Sequence, residues 1–390
     1  MSEWTKYKLT DVGYLKRGKS KHRPRYAFHL YGGKYPFIQT GEIKAASKYI
    51  KTFEQTYSEA GLAQSKLWEK GTLCITIAAN IAEIAILDFD ACFPDSVLGF
   101  IPDKSKCNLD YVFYTLKYFQ RELKAQAIGS VQDNINAGTF ENIKFPFPSL
   151  SEQQAIAEVL SSLDDKIDLL HRQNKTLEQL AETIFRELFV DNEDENWASK
   201  KLDDVCIKIN SGGTPSTKVS EYYNGNINWY STKELNDCYL FDSISKITNT
   251  GLENSSAKLF PENTVVIAIY AAPTVGRLGI LTNEAAFNQA GCGFIADEKQ
   301  ICFEYLYLHL LLSRQKLNEM ASGSAQQNLN VGIMKEFEIA VPPSDLMGNF
   351  KEQIRPIFRK IKANSIQTQT LNKLRDTLLP KLMNGEIKVN

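Results

Sequence analysis

Three sets of side chains in this 390-residue chain have the types and spacing to do chemistry or to bind. The first is Pro102-Asp103 with Glu122-Leu-Lys124, the loose pattern of a metal-dependent nuclease in which two carboxylates hold the ion beside a lysine. Glu122 and Lys124 fall in a helical stretch, where residues two apart point to different faces. The second half of the chain carries Lys316-Leu-Asn318 at that place, so a nuclease site is the weaker reading. The second set is the run Lys16-Arg17-Gly-Lys19-Ser-Lys21-His22-Arg23-Pro-Arg25-Tyr26. The third is a pair of loops, Gly129–Gly138 with Gln132, Asn134 and Asn136, and Gly323–Gly332 with Gln326, Asn328 and Asn330.

The basic run lies in a segment, residues 1–50, that holds eleven bases against three acids, interleaved with Tyr7, Tyr14, Tyr26, Phe28, Tyr31 and Tyr35. A flexible run of this density clamps phosphates, and its arginines and lysines can reach guanine edges; a solvated loop is the plainer alternative. Its counterpart, Asn210-Ser-Gly-Gly-Thr-Pro-Ser-Thr-Lys218, is small and polar, suited to cradling a phosphate on backbone amides or to forming an ordinary turn. The Asn and Gln of the paired loops have the donors and acceptors to read adenine. They agree between the two halves, which favours a structural or phosphate role that both halves share. Other chemistries lack their residues. The four histidines are unclustered, no adenine-methylating Asn/Asp-Pro-Pro-Tyr/Phe tetrapeptide is present, and no G-x-x-x-x-G-K-S/T loop exists for ATP.

The elements that must position these residues come from an internal duplication. Trp4, Lys8, Leu9, Asp11 and Val12 recur 193 residues later as Trp197, Lys201, Leu202, Asp204 and Val205. Phe37-Ile-Gln-Thr-Gly-Glu-Ile43 answers Trp229-Tyr-Ser-Thr-Lys-Glu-Leu235, and from residue 91 onward the offset holds at 194. Each copy opens with about 150 residues of short β-branched and aromatic runs with Gly/Pro turns, such as Thr72–Leu87 and Asn263–Leu281. A helical stretch follows, Tyr111–Gln126 and Tyr305–Met320, which gives an α/β (α+β) domain in each copy.

Each copy ends in one long helix. Ser149-Leu-Ser-Glu152 is a capping box, after which Ile156, Leu160, Leu163, Ile167, Leu170, Asn174, Leu177, Ala181, Ile184 and Leu188 form a coiled-coil seam. Phe350, Ile354, Ile357, Ile361, Asn364, Thr368, Leu371, Arg375, Leu378 and Leu382 occupy the same frame in the second copy, with Leu374 able to replace Arg375 in the seam and Pro356 marking a kink or the first turn. Residues 150–190 hold eight acids and four bases, and residues 350–390 nine bases and three acids. Seams of one frame and opposite charge predict an intramolecular antiparallel pair, a spacer of about 57 Å at ~1.5 Å per residue. Two heads at the ends of such a spacer match major-groove half-sites about 34–36 Å apart, or a multiple.

The near-balance of 45 Lys+Arg against 46 Asp+Glu excludes only a uniformly basic nucleic-acid protein, since the charges are segregated along the chain. Met1–Lys8 is polar and opens no signal peptide, and the apolar stretches Leu73–Leu87 and Val265–Leu281 are short and interrupted, as buried strands are. Seven cysteines without a C-x-x-C pair predict a reduced, cytoplasmic chain with no structural disulfides and no membrane partner.

The duplicated domain-plus-helix plan, the Phe145-Pro-Phe-Pro-Ser-Leu-Ser-Glu-Gln153 lead-in and the Leu378-Leu-Pro-Lys-Leu-Met-Asn-Gly-Glu-Ile387 end resemble the specificity subunit of type I restriction-modification systems, over essentially the whole chain. The second lead-in, Val341-Pro-Pro-Ser-Asp-Leu-Met347, departs from the pattern by lacking the Glu-Gln. The resemblance implies target-recognition domains at 1–148 and 191–343 that read the halves of a bipartite, asymmetric site on double-stranded DNA. It implies spacer helices at 149–190 and 344–390, with methyltransferase and motor-nuclease subunits as partners. It implies a scaffold without catalytic residues, cofactor or metal; an orphan or decoy subunit is the alternative. On this reading the candidate DNA contacts are Lys16, Arg17, Lys19, Lys21, Arg23, Arg25, Gln39, Thr40, Lys44, Gln132 and Asn134 in the first copy. In the second they are Thr214, Ser216, Thr217, Lys218, Ser231, Lys233, Arg277, Gln326 and Asn328.

Overall fold

The computed structural model describes residues 4–22, 24, 26–78, 80–128, 140, 142–192, 194, 196–270, 274–322 and 328–389. They form two compact units, Met1–Asp168 with Thr370–Asn390, and Leu169–Gln369. Each unit holds one head, the near part of one long helix and the far part of the other.

In the first unit the apolar runs Leu73–Thr76 and Ile84–Leu87 are buried along their whole length, and they form the interior of a five-stranded sheet. Its order is Gly13–Arg17, Val97–Pro102, Leu73–Thr76, Ile84–Leu87, Tyr49–Ile50. All pairings are antiparallel except the last, which is parallel. A smaller sheet carries Tyr31–Phe37 between Gln55–Tyr57 and Ala91–Cys92, and a ribbon pairs Thr5–Lys8 with Lys144–Phe147. The second unit repeats this plan. Cys206–Ser211, Gly291–Ala296, Val265–Ala268, Leu278–Leu281 and Cys238–Leu240 make the five-stranded sheet, again with only the last pairing parallel. Ala198–Lys201 pairs with Glu338–Val341 in the ribbon. Gly99 and Gly293 occupy one position in the two sheets, and at both a Cβ would come within 2.7 Å of an aromatic ring, Trp68 and Phe93 in one and Phe287 in the other. Only a residue without a side chain lets those rings lie on the sheet.

The helical stretches differ between the copies. Leu109–Ile128 is one helix, whereas its counterpart breaks at Ser313 into Phe303–Leu312 and Arg314–Ser322. The break accompanies Arg314, whose guanidinium donates to Gly276 O at 2.8 Å and to the Asp237 carboxylate. Both copies fasten this helix to the ribbon with one bond, Tyr111 Oη to Pro146 O at 2.9 Å and Tyr305 Oη to Ala340 O at 2.7 Å. His309 is half-buried, beside Phe337 and with Nε2 3.2 Å from Glu338 O. Burial pushes its pKa down from 6.5 to about 4. Because the unfolded chain takes the proton first, stability is complete above about pH 6.5 and falls as the pH drops toward 4. We expect the urea midpoint of the second unit to fall across that window, and His309→Leu to flatten the dependence.

The long helices run Leu150–Phe189 and Ser344–Met383. The Ser149 hydroxyl accepts the Glu152 amide at 3.3 Å, the half of the capping box that faces the helix. In both units the two helices pair antiparallel. Asp164 meets Arg375 at 2.9 Å in the first unit. In the second, Asn364 donates to Asn174 Oδ1 at 2.8 Å, while Asn174 donates to Ser365 Oγ at 3.0 Å and Ile361 O at 3.3 Å. The expected seam is buried at Ile156, Leu160, Ile167, Leu170, Ala181, Phe350, Ile354, Ile361, Thr368 and Leu382. It drifts at the far end of the first helix, where Phe185 and Phe189 are buried more deeply than Ile184 and Leu188. A straight helix precesses about 20° per heptad against a 3.5-residue repeat, and the two rings pack against Tyr305 of the head and Phe350 of the second long helix, 4.8–6.1 Å between centroids.

Two expectations about the second helix are corrected. Pro356 does not mark a first turn, because the helix has run from Ser344 before reaching it. Leu374 does not replace Arg375, since Leu374 is 43% exposed while Arg375 turns inward to the Asp164 carboxylate. The lead-in departure has a structural counterpart. Gln153, 1% exposed, latches the first helix to its head by donating to Pro148 O and Lys106 O and accepting the Asn108 amide. Met347 stands at the equivalent position and is buried among apolar neighbours. All seven cysteines are free, and no helix among the described residues is long and apolar enough to cross a membrane.

Candidate nucleic-acid interface

The basic run leaves the edge strand Gly13–Arg17 and is held along its backbone. Gly18 donates to Val97 O at 2.8 Å and Lys19 to Phe93 O at 3.0 Å. The Gln64 side chain accepts both the Lys21 amide, at 2.6 Å, and the His22 amide, at 3.0 Å. The described part of the run is therefore an ordered loop and not the flexible one its composition predicts. Lys16, Arg17, Lys19 and Lys21 are exposed, and among the described residues no carboxylate pairs with them. Arg23 and Arg25 lie outside the described residues. The remaining bases of this segment do other work. Lys48 is buried against Asp110 at 2.9 Å and Ser161 at 2.8 Å, and Lys34 pairs with Glu59 at 3.2 Å.

Gln39 and Thr40 flank the same segment of strand as the basic run: Ile38 donates to Cys92 O, next to the Phe93 carbonyl that anchors Lys19. Gln39 precedes the short helix Thr40–Ala45, with its amide on Glu42 and its side chain on Gln55 at 3.0 Å. Ser231 repeats the arrangement, donating through both its amide and its hydroxyl to Glu234. The recurrence of these motifs in both copies is thus accounted for by capping. Lys233 is exposed, and Lys44 reaches Asn80 at 3.4 Å near the tip of the sheet hairpin.

The loop after Cys206–Ser211 is an ordinary turn. Of the two readings open to this segment, phosphate cradle or turn, the turn fits, because Gly212 and Gly213 donate their amides to Gly291 O and Phe287 O. The Thr214 hydroxyl binds Gln289, Pro215 O accepts the Tyr223 hydroxyl at 2.6 Å, and Val219 N closes on Ser216 O. What it presents outward is Ser216, Thr217 and Lys218. Arg277 is half-buried at the equivalent hairpin turn of the second sheet, its amide on Thr274 O. Of the paired loops, Gln132, Asn134 and Gln326 lie outside the described residues. Asn328 is half-buried, and Asn330 caps the helix Val331–Glu336 by accepting the Ile333 amide at 2.9 Å.

The nuclease-like residues do not meet. Asp103 closes its own turn on Ser105, at 2.6 Å to the hydroxyl, and these bonds hold its carboxyl below the usual range. Lys124 pairs instead with Glu83 at 2.8 Å, and Glu122 is exposed. Among the described residues no group of three or more His, Cys, Asp or Glu is arranged to hold a metal. Three features escaped sequence reasoning because they depend on distant partners: the anchoring role of Gln64, Lys66 stacked over Trp68 at 3.6 Å and Tyr14 at 4.6 Å, and the full exposure of Phe28.

The profile of the type I restriction modification DNA specificity domain matches residues 1–179 and again residues 194–375. The chain belongs to this specificity family. The specificity subunit of the type I restriction enzyme MjaIX from Methanocaldococcus jannaschii is 26% identical, covering 99% of this chain and 94% of its own. That of HindI from Haemophilus influenzae is 23% identical, over 99% of this chain and 100% of its own. The crystal structure of a type I restriction-modification S subunit from M. genitalium shares the fold, with a TM-score of 0.66 and 18% identity over 97% of this chain and 96% of that one. Family membership and the two-copy fold agree: the specificity domain is present twice, each match running into the long helix that ends its copy.

Proposed function

We propose that this specificity subunit reads a bipartite, asymmetric DNA site, one half with each head, while its paired helices fix the interval and present partner subunits with a docking frame. The division at 1–148, 149–190, 191–343 and 344–390 serves that purpose. One observation carries the reading: two heads with the same five-stranded sheet order expose different side chains at and after the equivalent edge strand, Lys16, Arg17, Lys19 and Lys21, with no carboxylate partner among the described residues, in one and Ser216, Thr217 and Lys218 in the other. Like scaffolds with unlike surfaces suit two unlike half-sites. Methyltransferase and motor-nuclease subunits are the partners, since the relatives it resembles are specificity subunits of restriction enzymes. The chain itself performs no catalysis.

The test is methylome mapping of cells that carry the chain with its methyltransferase. A split, asymmetric methylated motif is expected; a continuous motif, or none, would overturn the reading. Cleavage of plasmid by the pure chain with Mg²⁺ would overturn the scaffold role. The phosphate-facing role of the basic loop has its own readout. Replacing Lys16, Arg17, Lys19 and Lys21 together by Ala should lower the slope of log affinity against log salt by roughly 3 to 4. An unchanged slope would exclude those four from the interface.

A further inference from the structure

We infer that Phe28 is an apolar wedge that enters the base stack of duplex DNA held by the first head, an inference that rests on the DNA-reading role proposed above. Phe28 is 95% exposed, the most exposed large apolar side chain among the described residues. It stands on the 3₁₀ turn Phe28–Leu30, whose base is fixed. Leu30 is 2% exposed and donates to Ala27 O at 3.0 Å, and its own carbonyl accepts the Ser58 amide at 2.9 Å. The Ser58 hydroxyl donates to His29 O at 2.7 Å. A ring that protrudes from so well anchored a turn is already in place before any ligand arrives.

The surroundings point to DNA as the occupant. His29 packs edge-on against His22 at 5.0 Å, which ties the turn to the edge strand and ordered loop that carry Lys16 and Arg17, and Lys19 and Lys21. Those cations have no carboxylate among the described residues, and Tyr26, two residues before Phe28 in the chain, is 77% exposed. Cations for the phosphates next to a bare aromatic side chain are the parts with which proteins unstack and kink a base step.

The second head supplies an internal control. Its turn Ser220–Tyr222 is built alike, with Tyr222 on Val219 O, the Thr248 amide on Tyr222 O and the Thr248 hydroxyl on Glu221 O. It carries Ser220 where the first head has Phe28, and Glu221 where it has His29. The scaffold therefore folds without an apolar tip, and the exposure of Phe28 answers no demand of the fold. The distortion should accordingly fall in one half-site only, with cost set by how readily that step unstacks.

The experiment uses the full chain and a duplex enriched from a random-sequence pool by successive rounds of binding. Both strands are probed with permanganate for unstacked thymines and with hydroxylamine for unstacked cytosines, so that every base pair reports. The native chain and Phe28→Trp should yield a hyperreactive step confined to one half of the duplex. Phe28→Ala should lose it and bind roughly tenfold more weakly. Lys19→Ala should weaken binding and its salt dependence while keeping the hyperreactive step. A pattern unchanged in Phe28→Ala, or no hyperreactive step at all, overturns the wedge and leaves DNA reading intact. Failure to enrich any sequence overturns DNA reading itself.

Discussion

Inserting one heptad into each long helix, opposite one another beside the Asn174–Asn364 layer, should widen the recognised interval by about three base pairs while leaving both half-sites unchanged. Seven residues add about 10.5 Å of helix, and base pairs stack about 3.4 Å apart. A matched insertion keeps the apolar frame, because seven residues restore the same face. It also keeps the partners of both polar contacts, Asp164 with Arg375 and Asn174 with Asn364, which lie on either side of the inserted turns. An insertion in the first helix alone shifts one set of partners by two turns and strands either the Asn layer or the ion pair. Methylome mapping checks both variants. The matched insertion should give the same half-sites further apart, and the single one should abolish methylation. An unchanged interval with full activity in either variant would refute the helices as the spacing element.

Arg375→Ala should destabilise the first unit by about 2 kcal/mol, below the range for a fully buried ion pair because both side chains keep some exposure. The Asp164 carboxylate accepts the Tyr114 hydroxyl at 2.6 Å and the Arg375 guanidinium at 2.9 Å, with 16% of its side chain exposed. Removing the guanidinium leaves that charge inside the packed helix pair with a single hydroxyl to hold it. Removing both partners should cost less, since the only carboxylate left is the exposed Asp376 and the remaining loss is the acceptor of the Tyr114 hydroxyl, so Asp164→Ala/Arg375→Ala is expected to recover part of the loss. Arg375→Lys keeps the charge but not the fork, and should fall between them. Urea unfolding of the four proteins measures the cycle. Equal losses in the single and double variants would show that Arg375 acts through packing of its stem and not through Asp164.

Much of the architecture was legible because the chain states it twice. The 194-residue offset aligns the buried strands, the Tyr111 and Tyr305 fastenings and the two long helices, and it turns each copy into a check on the other. What was not legible depends on partners remote in sequence. A heptad pattern treats Arg375 as a misfit and Leu374 as its substitute, and only Asp164, 211 residues away, reverses that choice. The break at Ser313 follows from Arg314 reaching Gly276 and Asp237, and the order of the basic loop follows from Gln64. The candidate interface was legible as a charge density. The side chains that cap turns within it, Gln39, Ser231 and Asn330, have the same polar character as base-reading residues, and composition cannot separate the two roles.

The Asn174–Asn364 layer bears on how the two copies came to depend on one another. By the 194-residue offset Asn364 corresponds to Leu170, and Asn174 to Thr368. A first helix that paired with a second first helix in this register would put Leu170 where Asn364 donates to Asn174 Oδ1 and Ala181 where Arg375 meets Asp164, while His171 and the Ile167 carbonyl would take the places of Ser365 and the Ile361 carbonyl. Burying such groups without partners is unfavourable. The asymmetry of these few positions favours pairing of each helix with the other over pairing with itself. A chain truncated after its first helix should therefore pair with itself less stably than the first helix pairs with the second.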